Sequence, residues 1–500
     1  MQRVILPGMA TLLTNDACYA ALSSRDARFD GQFFVAVKST RIYCRPICRV
    51  RLPARKNCLF YETVVQAESA GYRPCLRCRP ELATRWCTEG ISETLAAHAI
   101  QLLDEYFTDS NVIEQVSLKL GVSDRHLRRM LRHHLGVSPV QYIQTRRLLL
   151  AKQLLSDTDL PVGEVAAIAG FGSVRRFNAL LKSAYGMTPT HLRKSRTQLK
   201  LVSGVDRATE DVIFCELKVT TPYDFGSLLW FHERRAVTDL ESVENGVYTR
   251  SLSLSTPDSV EPSVGWYRVK ALDESRLQLD VSKSLARQLA KVIAIARAQF
   301  DLDANPHHWL PSLGALAKDN PGLRVPGGAG GVELAVRAIL GQQVTVEAAT
   351  TLVGRVVEKF GGYSSCGGPS RTFPDTKILA HCAPEELGQL GIIRSRVKAI
   401  QAIAQAVCQG DLNLNPGADV SLTRSQLLKL PGIGEWTTSY LLMRALRWPD
   451  AFVGTDLGIV KAAKAQGIDN ISQHAEHWKP WRSYAAMHLW HTLEKRAEVV

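Results

Sequence analysis

Leu430-Pro431-Gly432-Ile433-Gly434-Glu435-Trp436 is the stretch on which the fold turns. Its glycines permit a tight turn between two helical segments. The second helix begins here, and its first N–H groups have no partner inside the helix. They can grip a phosphate without reading a base sequence. G-x-G alone also suits a bare helical turn. The next landmark is Asp456, in Phe452-Val453-Gly454-Thr455-Asp456, 22 residues after Gly434. An isolated Asp at a helix start is most often an N-cap.

A helix-hairpin-helix followed at this distance by Asp resembles the helix-hairpin-helix DNA glycosylase superfamily, and in that context Asp456 reads as catalytic. Breaking an N-glycosidic bond builds positive charge on the sugar. One carboxylate can stabilise that charge and orient a water, and the base must first leave the stack. Bifunctional members of the superfamily carry a lysine just inside the second helix. Trp436 stands there instead, so no lyase step is expected.

Aromatic residues surround the motif. Trp478, Trp481 and Tyr484 read as core. Trp436 and Trp490 suit stacking and cation–π attraction to a positively charged alkylated purine. The stretches TPYDFGSLLWF, RAILGQQVTV, LPGIGEWTTSYLLMRAL and HWKPWRSYAAMHLWHT resemble AlkA-type 3-methyladenine DNA glycosylases over about residues 210–500. The resemblance implies a substrate pocket of Phe231, Trp436, Tyr440 and Trp490, and DNA contacts by Gly432 and Gly434. Gln343 falls where the family's stack-filling side chain sits, and Leu457 replaces a pocket tyrosine. Both departures bear on substrate range. The resemblance also implies a small antiparallel sheet domain. Alternation at Val212–Leu217, Val247–Leu252 and Leu277–Val281 agrees with it.

Upstream, Leu118-Lys119-Leu120-Gly121-Val122-Ser123 leads into Asp124-Arg125-His126-Leu127-Arg128-Arg129-Met130-Leu131. A second copy runs Val165-Ala166-Ala167-Ile168-Ala169-Gly170-Phe171-Gly172-Ser173, then Val174-Arg175-Arg176-Phe177-Asn178-Ala179-Leu180. Each has a short helix, a Gly turn, a Ser cap and a basic second helix. A connecting helix is expected over about residues 139–156. This duplication resembles the AraC-type DNA-binding domain over residues 92–196. The second helix of each unit should enter a major groove, with Arg125, Arg128, Arg175, Arg176 and Asn178 facing DNA. About half of such contacts go to phosphate only.

Nearer the N-terminus, Cys44-x3-Cys48 is followed, after 26 residues, by Cys75-x2-Cys78. Two close thiolate pairs suit tetrahedral zinc, and spacing alone favours an architectural zinc ribbon. The surroundings argue for more. Between Arg41 and Arg79 lie nine basic residues and only two acidic ones, Glu62 and Glu68. Zinc bound by four thiolates carries a formal charge of about −2, and its electron-rich sulfurs are nucleophilic. The arginines would hold them against a phosphate backbone. FFVAVKSTRIYCRPICRVR and AGYRPCLRCRP resemble the N-terminal domain of Ada-type methylphosphotriester-DNA alkyltransferases. The resemblance makes Cys44 the methyl acceptor and Cys44, Cys48, Cys75 and Cys78 the zinc ligands. Cys18, Cys58 and Cys87 read as packing or incidental. The Pro-Cys-His-Arg site of the usual Ada C-terminal methyltransferase has no counterpart, so O6-methylguanine repair is not expected.

Charge agrees with this division. The chain has 500 residues and net charge +13. Residues 1–200 hold 29 basic and 16 acidic side chains and so carry the whole excess, which calls for a polyanionic partner. The remainder balances at 32 and 32. Eleven cysteines, six of them in residues 44–87, argue for metal or thiol chemistry in a reducing compartment rather than a disulfide scaffold. No signal peptide and no bilayer-length apolar run is read; either Met1 or Met9 could start the chain.

The expected architecture is multidomain, mainly α with α+β. A zinc methyl-acceptor domain over 1–88 precedes a double helix-turn-helix over 92–196. An α+β domain over 210–322 and an all-α glycosylase domain over 323–500 follow, with residues 195–211 as linker. The expected function is an adaptive response to DNA alkylation: a monofunctional alkylpurine glycosylase fused to a zinc-thiolate methyl acceptor and transcription regulator. One zinc is expected in the N-terminal domain and no cofactor in the glycosylase. Expected partners are double-stranded DNA and RNA polymerase, not a membrane. A cytoplasmic, nucleoid-associated monomer is the expected form. The alternative is a regulator whose glycosylase half only binds DNA; Asp456 and the hairpin count against it.

Overall fold

A computed structural model describes residues 14–83, 95–193, 212–255, 261–416 and 418–498; Met9, Cys87 and the stretch 195–211 lie outside them. The chain divides into two compact units, Met1–Thr220 with Ala286–Lys291, and Thr221–Leu285 with Val292–Val500.

The first unit opens with helix α1 (Asn15–Ser24), capped by the Thr14 side chain. A four-stranded sheet follows: β1 (Phe34–Val37), β2 (Ile42–Cys44), β3 (Cys58–Tyr61) and β4 (Arg73–Pro74), in the order β3-β1-β2-β4. Period-2 alternation buries both faces. Phe33 and Val35 pack with Cys18, Leu22, Cys58 and Phe60, while Phe34 and Ala36 pack with Tyr43, Ala67 and Tyr72. Cys18 and Cys58 are thus core, and burial pushes the Cys18 thiol up to about 12. The helix between β3 and β4, α2 (Val64–Ser69), begins with a Thr63/Gln66 capping box.

Among the described residues the unit continues with helices α3 (Leu95–Tyr106), α4 (Val112–Leu120), α5 (Asp124–Leu135), α6 (Pro139–Asp157), α7 (Val162–Ile168) and α8 (Val174–Tyr185). The two capping serines act as the sequence suggests: Ser123 accepts from His126 N at 3.2 Å and Ser173 from Arg176 N at 3.4 Å. α5 buries Leu127, Leu131 and Leu135, and α8 buries Phe177, Leu181 and Tyr185, both at i, i+4 spacing.

Buried charges join the sheet to these helices. Glu81 and Lys152 pair at 2.5 Å, each at most 2% exposed, and Arg79 pairs with Asp157 at 2.8 Å. Tyr43 and Tyr185 both donate to Glu68 Oε1, at 3.0 and 3.3 Å. Strand β5 (Val212–Lys218) docks on α6, where Glu216 N donates to Asp157 Oδ2 at 3.3 Å.

The second unit carries helix α9 (Phe225–Glu233) and an antiparallel meander of β6 (Glu241–Glu244), β7 (Val247–Leu254), β8 (Ser263–Asp273) and β9 (Arg276–Ser282). β6 and β8 are strands that the sequence reading did not single out. The helical part includes α10 (Gly331–Leu340), α11 (Val346–Phe360), α12 (Arg394–Gln409), α13 (Val420–Leu427), α14 (Glu435–Arg444), α15 (Leu457–Lys464) and α16 (Arg482–Glu498). Trp478, Trp481 and Tyr484 are core, and Tyr484 stacks on Trp309 with centroids 3.8 Å apart.

Sheet and helices meet through a buried quartet. Arg250 contacts Glu241 at 2.9 Å and also Glu333; Arg337 contacts Glu333 at 2.8 Å and Glu241 at 2.5 Å. Burial works to raise the Glu241 pKa, but Arg337 and Arg250 outweigh it and hold the carboxyl at about 2. Because the folded value lies below the unfolded one, the stabilisation is complete above the unfolded pKa of about 4.5 and is lost as pH falls through about 2. The shift is worth on the order of 3 kcal/mol. Eight of the nine tryptophans follow Thr221, so their fluorescence follows this unit. Glu241→Gln is expected to destabilise it at pH 7 and to flatten its stability profile between pH 4.5 and 2. A wild-type slope in the variant would refute the pairing.

Candidate active sites

The hairpin between α13 and α14 places the first site. Gly432 has φ +75, and a Cβ there would lie 3.2 Å from Ala399 Cβ on α12. Glycine therefore serves both the turn and the close approach. α14 buries Thr437, Thr438, Leu441 and Leu442. Trp436 and Tyr440, one turn apart, stay partly exposed and stack on each other with centroids 5.1 Å apart and planes at 14°. A base sandwiched between two rings needs two contacts of roughly 3.5 Å. This pair is too close to hold a base between its rings. Trp490 lies beside them, 6.4 Å from Tyr440 at 62°.

Asp456 caps α15: its Oδ1 accepts from Ile459 N at 3.0 Å. The commoner role of a lone Asp is thus present, but the carboxylate also does more. Oδ1 accepts from Trp490 Nε1 at 2.9 Å, and Oδ2 accepts from Trp436 Nε1 at 3.0 Å. A carboxylate offers about four acceptor directions. Three are filled, and one on Oδ2 remains for a water or a developing positive charge. Gly458 makes room for this clamp, since a Cβ there would lie 2.9 Å from Asp456 Oδ1 and 3.5 Å from Trp490 Cδ1.

Other residues of this site take different positions. Phe231 is buried, with the guanidinium carbons of Arg235 and Arg444 lying 3.8 and 4.8 Å from its ring centroid. Leu457 is 86% exposed beside Asp456. Gln343 is exposed with φ +55. Its neighbour Gln342, which the sequence reading passed over, donates to Gly432 O at 3.2 Å and Thr437 Oγ1 at 3.0 Å. The loop that carries Gln343 is thereby tied to the hairpin.

The second site forms where β2 and β4 run parallel. Tyr43 pairs with Pro74, so Cys44 and Cys75 are the next residues on neighbouring strands; Cys75 N donates to Tyr43 O at 3.0 Å. The sulfurs of Cys44, Cys48, Cys75 and Cys78 all lie within 4.8 Å of one another. Tetrahedral zinc with Zn–S of about 2.3 Å separates its sulfurs by ~3.8 Å, so this set fits the ion. Arg45 N donates to Cys78 Sγ at 3.4 Å. Not all nine cations face outward. Arg45 is buried against Asp30 and Arg79 is half-buried against Asp157, whereas Arg41, Arg49, Arg51, Lys56 and Arg77 are exposed.

Arg125, Arg128, Arg175, Arg176 and Asn178 all lie on exposed faces of α5 and α8. Arg128 pairs with Asp124 at 3.0 Å, a solvent-exposed bridge that is weak.

Comparison with known proteins follows the same order along the chain. Residues 17–81 match the metal binding domain of Ada, and residues 116–195 a helix-turn-helix domain. Residues 214–330 match the AlkA N-terminal domain, and residues 336–479 the HhH-GPD superfamily of base excision DNA repair proteins. The chain is 35% identical over 491 residues to a probable bifunctional transcriptional activator/DNA repair enzyme AlkA of Mycobacterium tuberculosis, covering 96% of each. It is 34% identical over 276 residues to DNA-3-methyladenine glycosylase 2 of Escherichia coli, covering 54% of this chain and 94% of that one. It is 30% identical over 184 residues to the E. coli bifunctional transcriptional activator/DNA repair enzyme Ada, covering 37% of this chain and 50% of that one. A four-cysteine metal domain, a helix-turn-helix domain and a helix-hairpin-helix repair domain in one chain, matched end to end by such a relative, place this protein in the family of bifunctional transcriptional activator/DNA repair enzymes that join Ada-type and AlkA-type parts.

Proposed function

We propose that the chain is a DNA-3-methyladenine glycosylase fused to a zinc-thiolate methylphosphotriester acceptor that regulates transcription. The observation that carries the glycosylase reading is the Asp456 carboxylate, held by two indole N–H groups with one acceptor direction open. Gly432, Gly434 and the first turn of α14 hold a phosphate, and Gln343 fills the space left by the extruded base. The base stacks on the outer side of the Trp436–Tyr440 pair and beside Trp490, with Phe231 behind them. Asp456 then stabilises positive charge on the sugar and orients the attacking water. Trp436 where a lysine would stand makes the reaction monofunctional. No cofactor is assigned to this half.

In the first unit, Cys44, Cys48, Cys75 and Cys78 would hold zinc, and the ion would keep the thiolates nucleophilic without a proton. Cys44 Sγ attacks the methyl carbon of a phosphotriester, and the oxygen leaves with the bonding pair as a phosphodiester. Arg125, Arg128, Arg175, Arg176 and Asn178 meet operator DNA. RNA polymerase is the partner of the activator, and a monomer at the cytoplasmic nucleoid is the working form. Domain limits of 1–88, 92–196, 210–322 and 323–500 belong to this reading.

Asp456→Asn should abolish 3-methyladenine release from alkylated DNA while binding to undamaged DNA is retained; near-normal release would sink the assignment. Trp490→Phe keeps an apolar ring but loses one hydrogen bond to a charged group, worth about 1.5–3 kcal/mol. Single-turnover release should fall roughly 10- to 100-fold with affinity for undamaged DNA retained.

Transfer of a methyl to Cys44 changes the site charge from about −2 to −1. One unit of removed repulsion near a phosphate is worth on the order of 1 kcal/mol, or up to about tenfold in affinity. Operator affinity at fixed salt should rise by that factor after exposure to methylphosphotriester DNA and stay flat in Cys44→Ser. Equal affinity before and after in the wild type would remove the regulatory role.

A further inference from the structure

The loop that carries Gln343 joins α10 to α11 and is pinned on both sides of its tip. Before the tip, the Gln342 side-chain amide donates to Gly432 O at 3.2 Å and to Thr437 Oγ1 at 3.0 Å. A main-chain carbonyl only accepts, so the amide nitrogen is the end that faces the hairpin. Its two protons are both used, one on the hairpin turn and one in the first turn of α14. The Gln342 main-chain carbonyl accepts in turn from Arg396, in the first turn of α12. After the tip, the Thr345 side chain caps α11 by accepting from Ala348 N at 3.2 Å. Gln343 and Val344 stand exposed between these anchors. Gln343 also holds φ +55, in the left-handed region that is costly for a residue with a Cβ. Such a conformation persists where its surroundings fix it.

We infer that Gln342 is a positioning residue for base extrusion: it locks the Gln343 loop to the hairpin, so that the phosphate grip and the gap filler form one rigid piece. The inference rests on the reading that the hairpin holds the strand and Gln343 fills the vacated stack. Taking a base out of the stack is costly, and the filler offsets that cost only if it stands at the gap. A loose loop would have to be ordered at that moment, and the ordering would be subtracted from the energy of binding. Here the ordering is done when the chain folds. Once the hairpin seats on a phosphate, the place of the tip along the strand is set. Gln342 itself needs no contact with DNA. Without its amide the hairpin still grips, but the tip is no longer held to it, so binding of intact duplex and extrusion come apart.

The test compares the full-length wild type with Gln342→Met, Gln343→Ala and the double variant. Methionine keeps the length of the side chain and has no amide. Extrusion is read from a 2-aminopurine beside a single 3-deaza-3-methyladenine, whose glycosidic bond is stable; the probe brightens when its neighbour leaves the stack. Affinity for undamaged duplex and single-turnover release of 3-methyladenine are measured in parallel. Gln342→Met should bind undamaged duplex within about twofold of the wild type and lose roughly tenfold in both extrusion and release, the scale of two lost hydrogen bonds. Gln343→Ala should show a similar loss. The double variant should lose no more than the worse single one, because Gln342 acts through Gln343. If Gln343→Ala extrudes and releases like the wild type, the filler reading falls and this inference with it. Three results overturn the positioning role and leave the filler reading standing: Gln343→Ala loses extrusion while Gln342→Met does not, the two losses multiply in the double variant, or Gln342→Met weakens binding to undamaged duplex as much as extrusion.

Discussion

Buried Arg250 and half-buried Arg337 lie between Glu241 and Glu333, and the second unit depends on all four remaining together. Removing one partner from a buried pair leaves a charge without water or countercharge, at a cost of about 3–5 kcal/mol. Glu241 comes from the sheet and Glu333 from α10, so sheet and helices are held in one arrangement. The helices that carry the hairpin and Asp456 are built on that arrangement. The first unit repeats the constraint with other residues: Glu81 with Lys152 and Arg79 with Asp157 join the cysteine-bearing sheet to α6.

The two sites share a way of holding anions. Asp456 is partly removed from water, yet three N–H donors meet it, two of them from indoles that also provide stacking surface. The same tryptophans therefore orient the carboxylate and shape the base site. At the cysteine cluster, the residues beside two of the ligands are themselves anchored: Tyr43 to Glu68, and Arg79 to Asp157 and Glu81. Glu68 also accepts from Tyr185 at the end of α8. The strand carrying Cys44 thus shares a hydrogen-bonded carboxylate with the second of the two basic helices.

Much of this was legible along the chain because its signals are local. The Gly turns and Ser caps of the two helix-turn-helix units depend on residues within one turn of helix, and Ser123 and Ser173 cap as their spacing suggests. The cysteine pairs chelate from adjacent positions, so spacing was informative. Strand β8 escaped notice although it is the longest in the sheet, since Ser263–Asp273 mixes polar and apolar residues without clean alternation. Gln342 also escaped, because its partners Gly432 and Thr437 lie about 90 residues further on.

The sequence by itself determined the order of the parts, the four-cysteine cluster, the basic helices and the hairpin with its aspartate, because each is carried by residue types at short spacing. Only the tertiary structure decided which neighbours those residues meet. It paired Arg45 with Asp30 and Arg79 with Asp157, carboxylates that lie outside the cysteine motifs. It buried Phe231 against two guanidinium groups and brought Trp490 to Asp456 from the last helix. Such contacts depend on how far apart folding leaves two segments in space, and that distance is not encoded in either segment alone.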